Sequence, residues 1–398
     1  MRLLPALLSL LTTALPAAAQ LPEDTGPHLV GIRSTTFSNP GPGDNTIQVR
    51  LWYPALAEGD DTQPDTANGP YPPVLFMHGY FAPPWFYGLL NRHLASHGFV
   101  VVAVGNQDGL LMNIVRFAQD GQALVHWAET QAADPAHYLH DMLAAGPWTG
   151  VGHSNGGEAL LRIQESEDLF ATLALMEPRW YDNNQVATFP GHVLTIASTH
   201  DIVNPTANHA RRYYENLASA RRNLYGLIIG GGHNGSLDFP SSIVNPLPHA
   251  EQHRMHRRLV GGFLRAELQQ AEDELYHLFG SGSSGDPLES EGSSLDPAIW
   301  VRPGGAGPTG GDDGGFLTGF NSYPGAQLMI NAVAHPPAGP FMGTRGPGLF
   351  FSTFVAASGS VEQHFALRPV IAPGTPILVR GVVTAPLGAT RVASFLVP

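Results

Sequence analysis

The feature that most constrains this chain is a series of short, uninterrupted apolar runs separated by stretches of helical spacing. "PVLFMHGYF" (73–81), "GFVVVAVG" (98–105), the run leading into "GVGHSNGG" (150–157), "ATLALME" (171–177), "GHVLTIAS" (191–198) and "LYGLIIGG" (224–231) show no polar alternation. Strands of that kind are buried on both faces, which requires a parallel sheet with helices on each side. The intervening segments supply the helices. Residues 85–97 place Phe86, Leu89, Leu90 and Leu94 on one side, and 110–131, 157–165, 206–220 and 254–268 read likewise as helices. Asn45–Tyr53 alternates apolar and polar residues and is expected to be an outer antiparallel strand. The expected class is α/β: a mostly parallel sheet flanked by helices.

Composition changes at Gly280, and "GSGSSGDPLESEGSS" reads as a flexible, polar linker. Beyond it, β-rich runs at 327–334, 349–356, 361–367, 377–383 and 391–397, separated by Gly/Pro turns, suggest a small C-terminal all-β sandwich-like domain. The expected division is a leader over 1–19, an α/β domain over 20–279, a linker over 280–296 and a β domain over 297–398. The leader, "MRLLPALLSLLTTALPAAA", has an early Arg, an apolar centre and a small-residue end, the layout of a secretory signal peptide. The expected location is extracellular or periplasmic. With no cysteine in the chain, disulfides, thiolate catalysis and cysteine-based zinc sites are excluded. The net charge of −13 argues against a nucleic-acid partner, which wants a basic face.

Ligands bind beyond the carboxyl ends of parallel strands, so polar residues there are the candidates for chemistry. Gly152-His153-Ser154-Asn155-Gly156 fits G-x-S-x-G between a buried strand and a helix, which makes Ser154 the candidate nucleophile. A serine hydroxyl needs a base oriented by a carboxylate. His233, after the run at 224–231, is the candidate base; His192, His200 and His209 come too early or fall inside elements. Two carboxylates compete for the acid: Asp201, four residues before Pro205, is favoured, and Glu177 at the end of the preceding strand is the alternative. The candidate oxyanion donors are the backbone N–H groups of Asn155 and Tyr80, the latter in "HGYF" after an early strand, with Phe81 as a fallback. For Tyr80, Phe81, Trp85 and Phe86 two readings stand, the lining of an acyl pocket or ordinary core, and Phe81 and Trp85 are taken as substrate-binding.

With those motifs in place, residues 73–235 resemble the α/β-hydrolase superfamily. "LFMHGYFAPPWFYGLLNRHLASHGFVVVA" followed by "GHSNGGEA" is similar to chlorophyllases, and the layout also resembles platelet-activating-factor acetylhydrolases and the cutinase-like polyester hydrolases. The sequence departs from these relatives at Asn155, where chlorophyllases carry Arg and cutinases Met. Its two acid candidates match different branches. The resemblance implies a serine esterase of the α/β-hydrolase fold that acts through an acyl-enzyme, needs no cofactor, and takes a small or polymeric ester. The intervals between Ser154, Asp201 and His233 leave no room for a large helical lid, so an open cleft is expected.

Two other classes remain open at this level: a non-catalytic binding or adhesion protein on a hydrolase scaffold, and an acyltransferase. A metal site on His249, His253 and His256 lacks supporting carboxylates and is not expected. Neither is a calcium site at "GGDDGG" (310–315), whose liganding pattern is incomplete. The C-terminal segment carries no motif of its own and is expected at most to hold a polymer or a surface.

Overall fold

A computed structural model describes residues 21–396 apart from 40–45, 108, 110, 183, 241–244, 272–273, 280–284 and several connections after 294. The leader at 1–19 and most of "GGDDGG" (310–313) lie outside the described residues. The element order is β1 (Leu29–Ser38), β2 (Thr46–Ala55), β3 (Gly59–Asp60), β4 (Pro73–Met77), α1 (Gly88–Ser96), β5 (Val100–Val104), α2 (Ile114–Ala132), β6 (Trp148–His153) and α3 (Asn155–Ser166). There follow β7 (Phe170–Met176), α4 (Asn184–Thr188), β8 (His192–Ser198), α5 (Ala210–Asn216), β9 (Arg222–Ile228), α6 (His249–Leu268), α7 (Glu274–Phe279) and β10 (Leu288–Ser294).

These strands form one mixed sheet in the order β10-β9-β8-β7-β6-β4-β5-β2-β1-β3. The strands from β5 through β9 are parallel neighbours. Every residue of β4, β5 and β6 is buried, as their unbroken apolar runs require. Alternate side chains feed two cores. Val74 and Phe76 pack with Leu90 and Leu94 of α1 and with Met255, Leu259 and Phe263 of α6. Leu75 and Met77 pack on the other face with Phe117 and Leu124 of α2 and Leu160 of α3. This helix-covered mixed sheet is consistent with the α/β-hydrolase fold that the resemblance implies.

Three features differ from the sequence expectation. The strand at 46–55 is not the outer one, because β1 pairs along its full length on the far side. Half-polar β1, exposed at every second residue toward its end, carries little apolar signal. The helix expected over 206–220 is a 3₁₀ turn at Thr206–Asn208 and then α5, divided at His209, whose backbone (φ −128°, ψ −91°) leaves the helical region. Within the stretch read as linker, residues 288–294 run antiparallel along β9 as an edge strand; Leu288 packs against the core beneath it.

After β10 the described residues are strands: β11 (Ala298–Pro303), β12 (Gly314–Phe320), β13 (Gln327–Ala334), β14 (Gly348–Phe354), β15 (Ser360–Ala366), β16 (Pro376–Thr384) and β17 (Leu387–Leu396). They pair as β11-β12-β15 and β14-β13-β16-β17.

The sheet order decides where a site can form. From β4 the chain moves to β5 on one side and then to β6 on the other, so the loops after β4 and β6 leave adjacent strand ends in opposite directions. Such a switch point opens a crevice at the carboxyl edge. The turns after β7, β8 and β9 continue along the same edge.

Candidate active site

Ser154 sits between the last residue of β6 and the first of α3 with φ +53° and ψ −116°. A side-chain-bearing residue rarely adopts that backbone, and it is held here by close packing. A Cβ on Gly156 would lie 1.9 Å from the carbonyl oxygen of Met77, and one on Gly152 would lie 2.7 Å from the backbone of Gly156. Gly156 therefore lets the elbow press against β4, and Gly152 lets the first turn of α3 fold closely over the end of β6. The Ser154 N–H donates to the carbonyl of Met176 at 2.9 Å, tying the turn to β7 as well.

His233 reaches this serine from the loop after β9. Its Nε2 lies 3.0 Å from Ser154 Oγ and its Nδ1 2.8 Å from Asp201 Oδ2. The carboxylate only accepts, so Nδ1 carries the proton and Nε2 is left to accept from the serine hydroxyl. Asp201 is fixed in turn, since its Oδ1 accepts the backbone N–H groups of Val203 (2.9 Å) and Asn204 (2.7 Å) in an Asx turn. All three side chains are buried, so these polar contacts form away from bulk water.

Glu177, the other acid candidate, is brought to a different histidine. It follows β7 with φ +39°. Its carboxylate accepts from Ser198 Oγ at 2.7 Å and meets His256 Nε2 at 3.1 Å through both oxygens. The opposite nitrogen of His256 donates to the backbone carbonyl of Gln252 at 2.8 Å. Burial pushes the His256 pKa down, but the Glu177 carboxylate outweighs it and the net direction is upward. The result is a buried imidazolium–carboxylate pair beside the site whose hydrogen bonds run to Ser198 and the Gln252 carbonyl.

The remaining candidates are placed as follows. Tyr80 and Phe81 follow β4, and Asn155 opens α3, where first-turn N–H groups have no partner within the helix. Phe81 itself has φ +55°. Tyr80, Phe81 and Trp85 are about half exposed, so they are not core residues. Phe86 instead packs edge-on against Phe239, with ring centres 4.5 Å apart. Trp85 also borders a groove of about 480 Å³ lined by Ser34, Thr36, Thr46, Gln48 and Arg50. The histidines of α6 have separate partners: His249 the carbonyl of Leu237, His253 the Asp238 carboxylate, and His256 Glu177.

A family model described as PET hydrolase-like matches residues 16–239, more than half of the chain. The chain belongs to the PET hydrolase-like family. Among its relatives, a cutinase of Thermobifida fusca (strain YX) is 26% identical over 240 residues, covering 60% of this chain and 77% of the relative. Chlorophyllase-1 of Arabidopsis thaliana is 30% identical over 154 residues, 35% of this chain and 47% of the relative. Cutinase 1 of Thermobifida cellulosilytica is 26% identical over 231 residues, covering 58% and 80%. This family member is accordingly a carboxylic ester hydrolase, as its resemblance to cutinases and chlorophyllases implied.

Sequence patterns did not single out several residues that this member places around the serine. His153 is fully enclosed, and its Nδ1 lies 2.7 Å from Tyr87 Oη while its Nε2 lies 2.8 Å from the carbonyl of His233. Tyr87 Oη accepts the Gly79 N–H at 3.0 Å. Since the His233 carbonyl can only accept, His153 carries its proton on Nε2 and takes the tyrosine proton on Nδ1. Burial holds its pKa well below the usual histidine value, which keeps that tautomer neutral. One imidazole thus ties together the loops after β4, β6 and β9. Asn204 was likewise missed, although it lies three residues past Asp201 in "DIVNP"; its amide lies 3.3 Å from Ser154 Oγ.

Proposed function

We propose that this protein is a secreted serine esterase that cleaves lipid-like or polyester substrates through Ser154, His233 and Asp201. The carrying observation is the unbroken proton path from Ser154 Oγ to His233 Nε2 (3.0 Å) and from His233 Nδ1 to Asp201 Oδ2 (2.8 Å). In this reading His233 takes the serine proton as Oγ attacks the ester carbonyl. Asp201 holds the imidazole in its tautomer and stabilises the imidazolium that forms. The N–H groups of Tyr80 and Asn155 receive the oxyanion. His233 then protonates the leaving alcohol, water attacks the acyl-enzyme with His233 as base, and the acid departs as Oγ regains its proton. Glu177 stays outside the reaction, held by His256 and Ser198.

The substrate class rests on the rim of the site. Tyr80, Phe81, Trp85, Ile202 and Val203 are all exposed on the loops after β4 and β8. Exposed apolar side chains on the loops that carry the site favour an apolar ligand over a small charged one. Among the described residues no helix is long and apolar enough to cross a membrane. The secretory leader at 1–19 and a sandwich-like C-terminal domain that docks the enzyme on a polymer or surface complete the proposal.

The test is Ser154→Ala measured over a panel running from short p-nitrophenyl esters through triglycerides to polyester films. The variant should fold and lose turnover on every substrate that the native enzyme cleaves. Native-like turnover by the variant would refute the assignment of the nucleophile. Activity confined to short soluble esters would refute the polyester and lipid assignment.

A further inference from the structure

Ser154 Oγ has a second polar neighbour that the Ser–His–Asp mechanism leaves unused. The side-chain amide of Asn204 donates to Oγ at 3.3 Å and to the backbone carbonyl of Glu177 at 2.9 Å. The orientation of this amide is fixed by chemistry, because a backbone carbonyl can only accept and so must face the NH₂ end. One of its two protons goes to Glu177 and leaves the other for the serine oxygen. The placement is rigid. Asn204 is 7% exposed, and its own N–H donates to Asp201 Oδ1, so the loop that carries the acid also carries this amide.

We propose that Asn204 is a further catalytic residue, an N–H donor to Ser154 Oγ whose main effect is on breakdown of the acyl-enzyme; this rests on the assignment of Ser154 as nucleophile. In the resting site Oγ accepts from Asn204 and donates its proton to His233 Nε2, so the amide steers the hydroxyl proton toward the base. During attack the same hydrogen bond has two opposed consequences. It stabilises the charge developing on Oγ but also withdraws electron density from the attacking oxygen.

In the acyl-enzyme the opposition disappears. Oγ is then the bridging oxygen of an ester, and a donor on it makes the acyl carbon more electrophilic to water. As the tetrahedral intermediate collapses, the bond from the acyl carbon to Oγ breaks and the electron pair returns to Oγ. The proton comes from His233, and Asn204 stabilises the departing oxygen. Both effects push hydrolysis forward, so deacylation gains more than acylation.

Stopped-flow kinetics of Asn204→Ala with p-nitrophenyl butyrate tests this, with fluorophosphonate labelling of both proteins alongside. A hydrogen bond to a charge-bearing group has a net effect of roughly 1.5 kcal/mol or more, so deacylation should slow about tenfold or more. A burst of p-nitrophenol should appear, and added methanol, a second acceptor, should raise the variant's kcat. The labelling rate and kcat/KM should stay within about threefold, because the serine, base and acid are untouched and the opposed effects offset. Asn204→Ser, whose hydroxyl is too short to reach Oγ, should show the same split. It serves if the alanine variant fails to fold.

Unchanged deacylation with normal labelling in a folded variant would overturn the role of Asn204. So would equal losses in labelling, kcat/KM and deacylation, which would mean that the amide only positions the Asp201 loop. Failure of the native enzyme to label at Ser154 would instead overturn the underlying nucleophile assignment.

Discussion

Among the described residues, two deeply buried carboxylate–histidine pairs lie at the carboxyl edge of this sheet, and one of the two meets the Ser154 hydroxyl. Asp201 and His233 follow β8 and β9, while Glu177 follows β7 and His256 rises from α6. Both pairs are buried, and their contact distances, 2.8 and 3.1 Å, are similar. What differs is the far side of each imidazole. His233 presents Nε2 to Ser154 Oγ, a group that can give up a proton. His256 presents Nδ1 to a helix carbonyl, which has no proton to give. A buried carboxylate beside a histidine is therefore not enough to assign chemistry. On the proposed mechanism the acid–base pair is the one whose open nitrogen faces a proton donor, and the closed pair is framework.

Substitutions that divide the two pairs sharpen this contrast. The largest expected effect is from His233→Ala, which should lower kcat for a p-nitrophenyl ester by roughly 10⁶-fold while leaving the melting temperature near native. His256→Ala should do the reverse, and comparable activity losses in both variants would erase the distinction. Next is Glu177→Ala. It removes one member of a fully buried ion pair and should cost about 3–5 kcal/mol of stability in chemical denaturation. Its kcat/KM, measured where the variant is folded, should stay within about tenfold of native, since no reacting atom is touched. A stable but inactive Glu177→Ala would shift the acid role toward Glu177.

A third effect is on pH. Burial depresses the pKa of His93, His97 and His153, with His97 down to about 4, so the unfolded chain takes up these protons before the folded one does. Their stabilisation is complete above the unfolded histidine value, about 6.5, and is lost as pH falls toward the folded values. The raised His256 works in the opposite sense, losing its contribution as pH rises through its folded pKa. Unfolding free energy should therefore fall between pH 6.5 and 4, by about 1.4 kcal/mol per pH unit for each histidine protonated only in the unfolded chain. A flat profile across that window would show that these imidazoles are not kept neutral by burial.

The sheet and the serine were legible because each rests on a local pattern. Apolar runs mark the doubly buried strands, and the glycines around Ser154 mark a turn that admits no Cβ on either side. The meeting of Asp201 and His233 could be anticipated because each lies in the loop that follows a strand of the parallel sheet. β1 and β10 escaped notice because polar strands at or next to a sheet edge resemble loops in one dimension. The competition between the two acids could not be resolved locally, since the partner that occupies Glu177 is His256, 79 residues further on. The Tyr87–His153 link and the amide of Asn204 depend in the same way on contacts between distant loops. Helical spacing places His256 on a face but does not say what that face meets.

The most direct test exchanges charge for amide in the two acids. Asp201→Asn and Glu177→Gln are treated with a fluorophosphonate, and labelling of Ser154 is followed by mass spectrometry. If the open pair does the chemistry, Asp201→Asn labels at least about 10³-fold more slowly than the native enzyme, and Glu177→Gln labels within about tenfold of it. Rapid labelling of Asp201→Asn together with loss of labelling in folded Glu177→Gln would contradict the assignment and make Glu177 the working acid.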